Sequence, residues 1–137
     1  MRSISFIVIH YSSVKPDQTS SAADIDRWHK ARGWSRIGYH YVVRRDGTIE
    51  RGRPDEHIGA HCNGHNAHSI GVCYEGGLDA DGHSTDTRTP EQKATLLSLL
   101  RSLKKSYPTA LIVGHSTLSR TLCPGFDAVR EYEDVTG

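Results

Sequence analysis

Apolar and polar positions along the chain fall into strand-like and helix-like segments. Residues 4–11 alternate and then run apolar through Phe6-Ile7-Val8-Ile9, which predicts a buried strand ending near His10. Val14 to Ser20 is polar, carries Pro16 and Asp17, and predicts a loop. Ser21 is placed to cap a helix over roughly 22–32, with Asp24 in its first turn and Gly33 just past its end. Ile25, Trp28 and His29 give that helix one apolar face. Tyr39 to Arg45 is rich in aromatic and β-branched residues and predicts a strand; Asp46-Gly47 is a hairpin signal, and Thr48-Ile49-Glu50 returns antiparallel.

Residues 53–68 show no period, although they hold His57, His61, His65 and His68. Ser69 to Tyr74 predicts another buried strand, and Gly76 to Arg88 a polar loop turning at Asp81-Gly82. Thr89-Pro90-Glu91-Gln92 combines an N-cap, a proline in the first turn and a capping-box Gln. The helix it opens places Leu96, Leu99, Leu100 and Leu103 on one face and ends near Tyr107-Pro108. Residues 110–114 predict a strand leading to His115, and 127–133 a short last helix. This order predicts an α/β fold: a single domain over 1–137, with a central mixed β-sheet flanked by helices on its faces.

The remaining composition narrows the function classes. A chain of 137 residues suits one domain. Charge is balanced, 17 Lys and Arg against 16 Asp and Glu, and gives no reason to expect nucleic acid or an anionic membrane as partner. No apolar stretch approaches the ~20 residues of a membrane span. Met1-Arg2-Ser3-Ile4 runs straight into the first strand and does not resemble a secretory leader, so a cytoplasmic location is expected. Three cysteines suit reduced thiols better than a disulfide framework.

The chemistry concentrates on His10, His115 and Cys123. Each histidine ends an apolar run, where a strand meets solvent and can present an imidazole to a cleft. Cys123 follows His115 in a His-x7-Cys pair and precedes Pro124-Gly125, a turn that can expose sulfur. Two imidazoles and a thiolate, with a fourth position left for water, suit one catalytic Zn²⁺ per chain. Taken singly, each residue also reads as ordinary: a strand-end His bonded to backbone, or a Cys acting as a small buried hydrophobe.

Five segments occur in order and at sensible spacing: Val8-Ile9-His10, Gly38-Tyr39-His40-Tyr41, Arg45-Asp46-Gly47-Thr48, Ser69-Ile70-Gly71-Val72 and Arg120-Thr121-Leu122-Cys123-Pro124-Gly125. Together they resemble the zinc-dependent N-acetylmuramoyl-L-alanine amidases of the type 2 family, which includes phage lysozyme-type amidases and peptidoglycan recognition proteins. The resemblance implies hydrolysis of the amide between the lactyl group of N-acetylmuramic acid and L-alanine of the stem peptide. It implies His10, His115 and Cys123 as metal ligands and Tyr39 as the catalytic phenol. Thr121 stands where phage members carry a Lys, which leaves a hydroxyl without the charge. Some relatives place a general-base Glu where this chain has Cys73, so the proton acceptor stays open. His40, the neighbour of Tyr39, is expected to face the other side of the sheet in a packing or supporting role.

The resemblance further implies that Gly59 to Asn66 forms a substrate-groove loop, with His61 and Asn66 near the bound glycan or stem peptide. Trp34, in the loop before Tyr39, is placed to line the same cleft. An alternative for that loop is a second metal site built from His57, His61, Cys62 and His65. The expected partner is peptidoglycan or a soluble muropeptide, acted on by a monomer. A lysis enzyme of a phage or prophage kind would reach the wall through a separate pore. Two other roles stay open: a muropeptide-binding module that does not cut, and a regulatory surface for another protein.

Overall fold

The computed structural model describes residues 2–137. Five strands form one sheet: β1 (Phe6–Tyr11), β2 (Tyr41–Val43), β3 (Ile49–Arg51), β4 (Ser69–Tyr74) and β5 (Leu111–Gly114), in spatial order β3-β2-β4-β1-β5. The pairs β1–β4, β1–β5 and β2–β4 are parallel, and the hairpin β2–β3 is antiparallel. The expected mixed sheet is therefore present, with the hairpin at one edge and the apolar β4 and β1 at its centre.

Side chains alternate across the sheet, so each face packs on different helices. Ile7 and Ile9 of β1, Ile70, Val72 and Tyr74 of β4 and Ile112 of β5 meet Leu96, Leu99, Leu100 and Leu103 of α2 (Pro90–Ser106). Each fully buried leucine in that layer is worth ~1.5–3 kcal/mol. The opposite face is smaller: Val42 and Cys73 pack with Ile37 and with Ile25 of α1 (Ala22–Ala31). This thinner face leaves room for a cleft beside α1.

Both long helices start as the sequence predicts. Ser21 and Asp24 form a reciprocal capping box on α1, and Thr89 and Gln92 form one on α2. The Gln92 amide also donates to the carbonyls of Val43 and Glu75, at 3.1 and 2.9 Å, so one residue both caps α2 and fixes it to the ends of β2 and β4.

Three elements depart from expectation. The strand predicted over Tyr39 to Arg45 is regular only from Tyr41 to Val43, although backbone bonds continue before it: the His40 amide donates to the Gly71 carbonyl and the Arg53 amide to the Tyr39 carbonyl, both at 2.9 Å. His40 is fully buried: the Gly71 amide donates to its Nδ1 at 3.0 Å, and its Nε2 lies 2.8 Å from the His57 carbonyl. β5 runs without a loop into α3 (His115–Leu118). The single last helix expected over 127–133 is two short turns, α4 (Ala128–Glu131) and α5 (Glu133–Thr136), meeting at Tyr132. Buried Arg88 holds this end: it bonds the Tyr132 hydroxyl and the carboxylates of Asp86 and Glu131, and stacks 3.4 Å from the centre of the Phe126 ring. Among the described residues, no helix is long and apolar enough to cross a membrane.

Candidate metal centre and cleft

His10 sits near the end of β1, opposite Cys73 of β4. Period-two alternation turns Ile9 into the large core and His10 onto the α1 face. The parallel neighbour β5 brings His115, the first residue of α3, to the same place, with the two rings 4.6 Å apart. Cys123 arrives on a tight turn, in which the Gly125 amide donates to the Leu122 carbonyl at 2.8 Å and the Cys123–Pro124 bond is cis. The Ser116 amide donates to the Cys123 carbonyl at 2.8 Å, and the Tyr11 amide to the Cys123 sulfur at 3.2 Å. The turn is thus held to α3 on one side and to β1 on the other.

A ligating atom from each of His10, His115 and Cys123 lies within 4.8 Å of the others. Ligand atoms around a tetrahedral zinc lie roughly 3.3–3.8 Å apart, given the usual Zn–N and Zn–S lengths. The trio therefore fits such an ion after a small closure. Its protonation fits as well. Burial, then His61 and His115, holds His10 well below the ordinary histidine value, and burial lowers His115. Both rings are accordingly neutral and able to ligate. Burial pushes the Cys123 thiol up to about 12, against the pull of the Tyr11 amide. A cation at this point would favour the thiolate that burial disfavours.

A cleft opens over the trio in two halves, of about 220 and 440 Å³. His29, Arg32, Tyr39 and His115 border both. Trp34, His61 and Asn66 line the larger one. Asn66 is also structural: its side-chain oxygen accepts from the amides of His61 and Cys62, both at 2.9 Å, so its NH₂ group is what it can offer a ligand. The Tyr39 ring is 5.0 Å from that of His10. Burial, reinforced by the neighbouring Cys73 and Cys123, raises the phenol well above its usual value, so it stays a hydrogen-bond donor.

Other sequence candidates fall elsewhere. Thr121 lies with Ser116 and Leu122 at a separate groove, and its hydroxyl accepts from the Cys123 amide at 3.3 Å, steadying the ligand loop. The second metal site considered for His57, His61, Cys62 and His65 is not assembled. His61 is engaged with His10 and Ser69, while the Cys62 sulfur faces the Ser119 hydroxyl at 3.9 Å. Asp79, Asp81 and His83 come together instead, on the turn after β4, where one Asp79 oxygen accepts from the Asp81 and His83 amides.

Sequence reasoning missed His29 and Arg32 as cleft residues. His29 reads as the apolar face of α1, yet its Nδ1 accepts from the Gly38 amide at 2.9 Å, next to Tyr39. Arg32 follows at i+3 and lies over Trp34, 5.7 Å from its ring. The i, i+3 spacing with Trp34 just beyond the helix was the available signal.

The family model for N-acetylmuramoyl-L-alanine amidase matches residues 1–126, which include the ligand trio and the cleft. The chain belongs to that amidase family. This amidase is 40% identical over 122 residues to the endolysin of Enterobacteria phage K11, covering 89% of this chain and 81% of the relative. Its structure resembles the N-acetylmuramoyl-L-alanine amidase LysC from Clostridium intestinale URNW, with a TM-score of 0.82 and 35% identity over 98% of this chain and 83% of that one. It also resembles a point mutant of Drosophila PGRP-LB in complex with tracheal cytotoxin, with a TM-score of 0.79 and 25% identity, covering 97% of this chain and 82% of the other. The amidase is thereby a peptidoglycan hydrolase.

Proposed function

We propose that this peptidoglycan amidase cleaves the bond between the muramoyl lactyl group and L-alanine with one zinc ion held by His10, His115 and Cys123. The observation that carries the reading is the convergence of three ligating atoms within 4.8 Å at the floor of a cleft. Zinc at such a site contributes Lewis-acid polarisation of a carbonyl and acidification of a water.

The protein's own groups do the rest. Tyr39 keeps its proton and stands beside His10, where its O–H can donate to the oxygen that gains charge as the amide carbonyl is attacked. His29 holds the backbone before Tyr39 in place through the Gly38 amide. Thr121 supports the reaction through the Cys123 loop, by the bond its hydroxyl accepts. Trp34 offers a flat apolar surface to a sugar or peptide face, while Asn66 and His61 complete the wall of the larger half. Arg32 is the sole Lys or Arg lining either half, and no Asp or Glu does so among the described residues. That balance favours the carboxylates of a stem peptide and leaves no acidic side chain to serve as general base.

Digestion of purified peptidoglycan tests the reading. The expected products carry new N-terminal L-alanine and no new reducing sugar ends, and their release stops on chelation and returns with zinc. New reducing ends, or full activity in chelator, would overturn it.

A further inference from the structure

His61 belongs to the groove loop by sequence, but its ring is wedged behind His10. Its Nδ1 lies 2.9 Å from His10 Nε2, and its own Nε2 lies 3.1 Å from the Ser69 hydroxyl. The two rings meet edge-on, with 89° between their planes. Glycines make the slot. A Cβ on Gly71 of β4 would come within 2.7 Å of the His61 ring, and one on Gly59 within 2.8 Å of both His61 and His40. The amides of His61 and Cys62 are both fixed by Asn66. One ring orientation is thereby set by strand, loop and hydrogen bonds together.

Two proton arrangements satisfy this chain of contacts. In one, His10 Nε2–H donates to His61 Nδ1, and His61 Nε2–H donates to Ser69. In the other every donor reverses, and His10 carries its proton on Nδ1. Only the first leaves a lone pair on His10 Nδ1. With Nε2 already engaged, Nδ1 is the nitrogen free to meet His115 and Cys123.

We propose that His61 is a positioning residue: it accepts the Nε2 proton of His10 and so presents His10 Nδ1 to the metal. The inference rests on the zinc reading above. A metal-bound imidazole gains basicity and a fixed orientation from such an acceptor, and losing one commonly lowers metal affinity ~10–100-fold.

Zinc affinity, measured by competition with a chromogenic chelator, tests this on the whole chain. His61→Asn keeps an oxygen acceptor near the Nδ1 position, whereas His61→Phe keeps the ring shape without one. The expected result is near-wild-type affinity for the Asn variant and a ~10–100-fold loss for the Phe variant. A purely space-filling role predicts the reverse order. Wild-type affinity in His61→Phe, or equal losses in both variants, would overturn the inference while leaving the zinc reading intact. A wild-type protein that does not bind zinc would remove both. Long-range ¹⁵N NMR of the zinc-loaded wild type needs no variant: His10 should be metal-bound at Nδ1 and protonated at Nε2. The opposite assignment would also overturn it.

Discussion

The backbone amide of Tyr11 donates to the sulfur of Cys123 across 3.2 Å, joining residues 112 positions apart. It is the contact through which the first strand reaches the ligand loop directly. It also bears on the charge of the sulfur. Burial keeps the thiol protonated at neutral pH without metal, while His10 and His115 are already neutral. Zinc binding at pH 7–8 should therefore release about one proton, from Cys123. Titration calorimetry in buffers of different ionisation enthalpy measures this number. Zinc affinity should rise with pH across that range; zero or two protons released would contradict the assignment of protonation states.

Tyr39→Phe should keep the metal and lose turnover. The ring packing survives, but the donor to the developing oxyanion is gone, and one such donor is typically worth ~10²–10³-fold in kcat. Zinc content together with kcat separates the roles. Unchanged kcat with full zinc would remove Tyr39 from the chemistry.

Arg32→Ala should act on binding instead. One charge-assisted bond of ~1.5 kcal/mol corresponds to about tenfold in KM, with kcat little changed. Soluble muropeptides with their stem carboxylates free or amidated provide the check. The variant should lose the preference for the free acid; a wild-type preference in the variant would place recognition elsewhere.

His29 makes stability depend on pH. Burial, with Arg32 and Arg53 adding to it and Asp26 opposing, lowers its value from 6.5 to about 4. The unfolded chain binds the extra proton between those values, so this contribution is fully present above pH 6.5 and is lost as pH falls toward 4. A single proton gives a slope of up to ~1.4 kcal/mol per pH unit. Denaturant melts of wild type and His29→Asn across this window should differ by up to that slope. Parallel curves would show that His29 titrates alike in both states.

Much of the frame was legible because local chemistry and tertiary packing agree. The capping residues Ser21 and Thr89, the Asp46-Gly47 turn and the apolar runs of β1 and β4 each specify their element from within a few residues. His10 and His115 were legible for the same reason, since a strand end fixes where the next side chain goes. The loop over 53–68 was not, because distant partners hold it. Tyr41 and Tyr107 donate to the Asp55 carboxylate, and Arg2 donates to the Asp55 carbonyl. Its histidine contact with His10 depends on Gly71, a residue of another element, so nothing near His61 in the chain announces it. Thr121 likewise reads as a departure from the phage pattern, whereas its bond to the Cys123 amide appears only once the turn is built.

The most direct test pairs metal content with lysis in Cys123→Ala. Wild-type protein should carry about one zinc per chain and clear a suspension of purified peptidoglycan, as three ligands and an open position require. The variant should fold, lose the zinc and leave the suspension turbid. Clearing by a zinc-free Cys123→Ala protein would contradict the account.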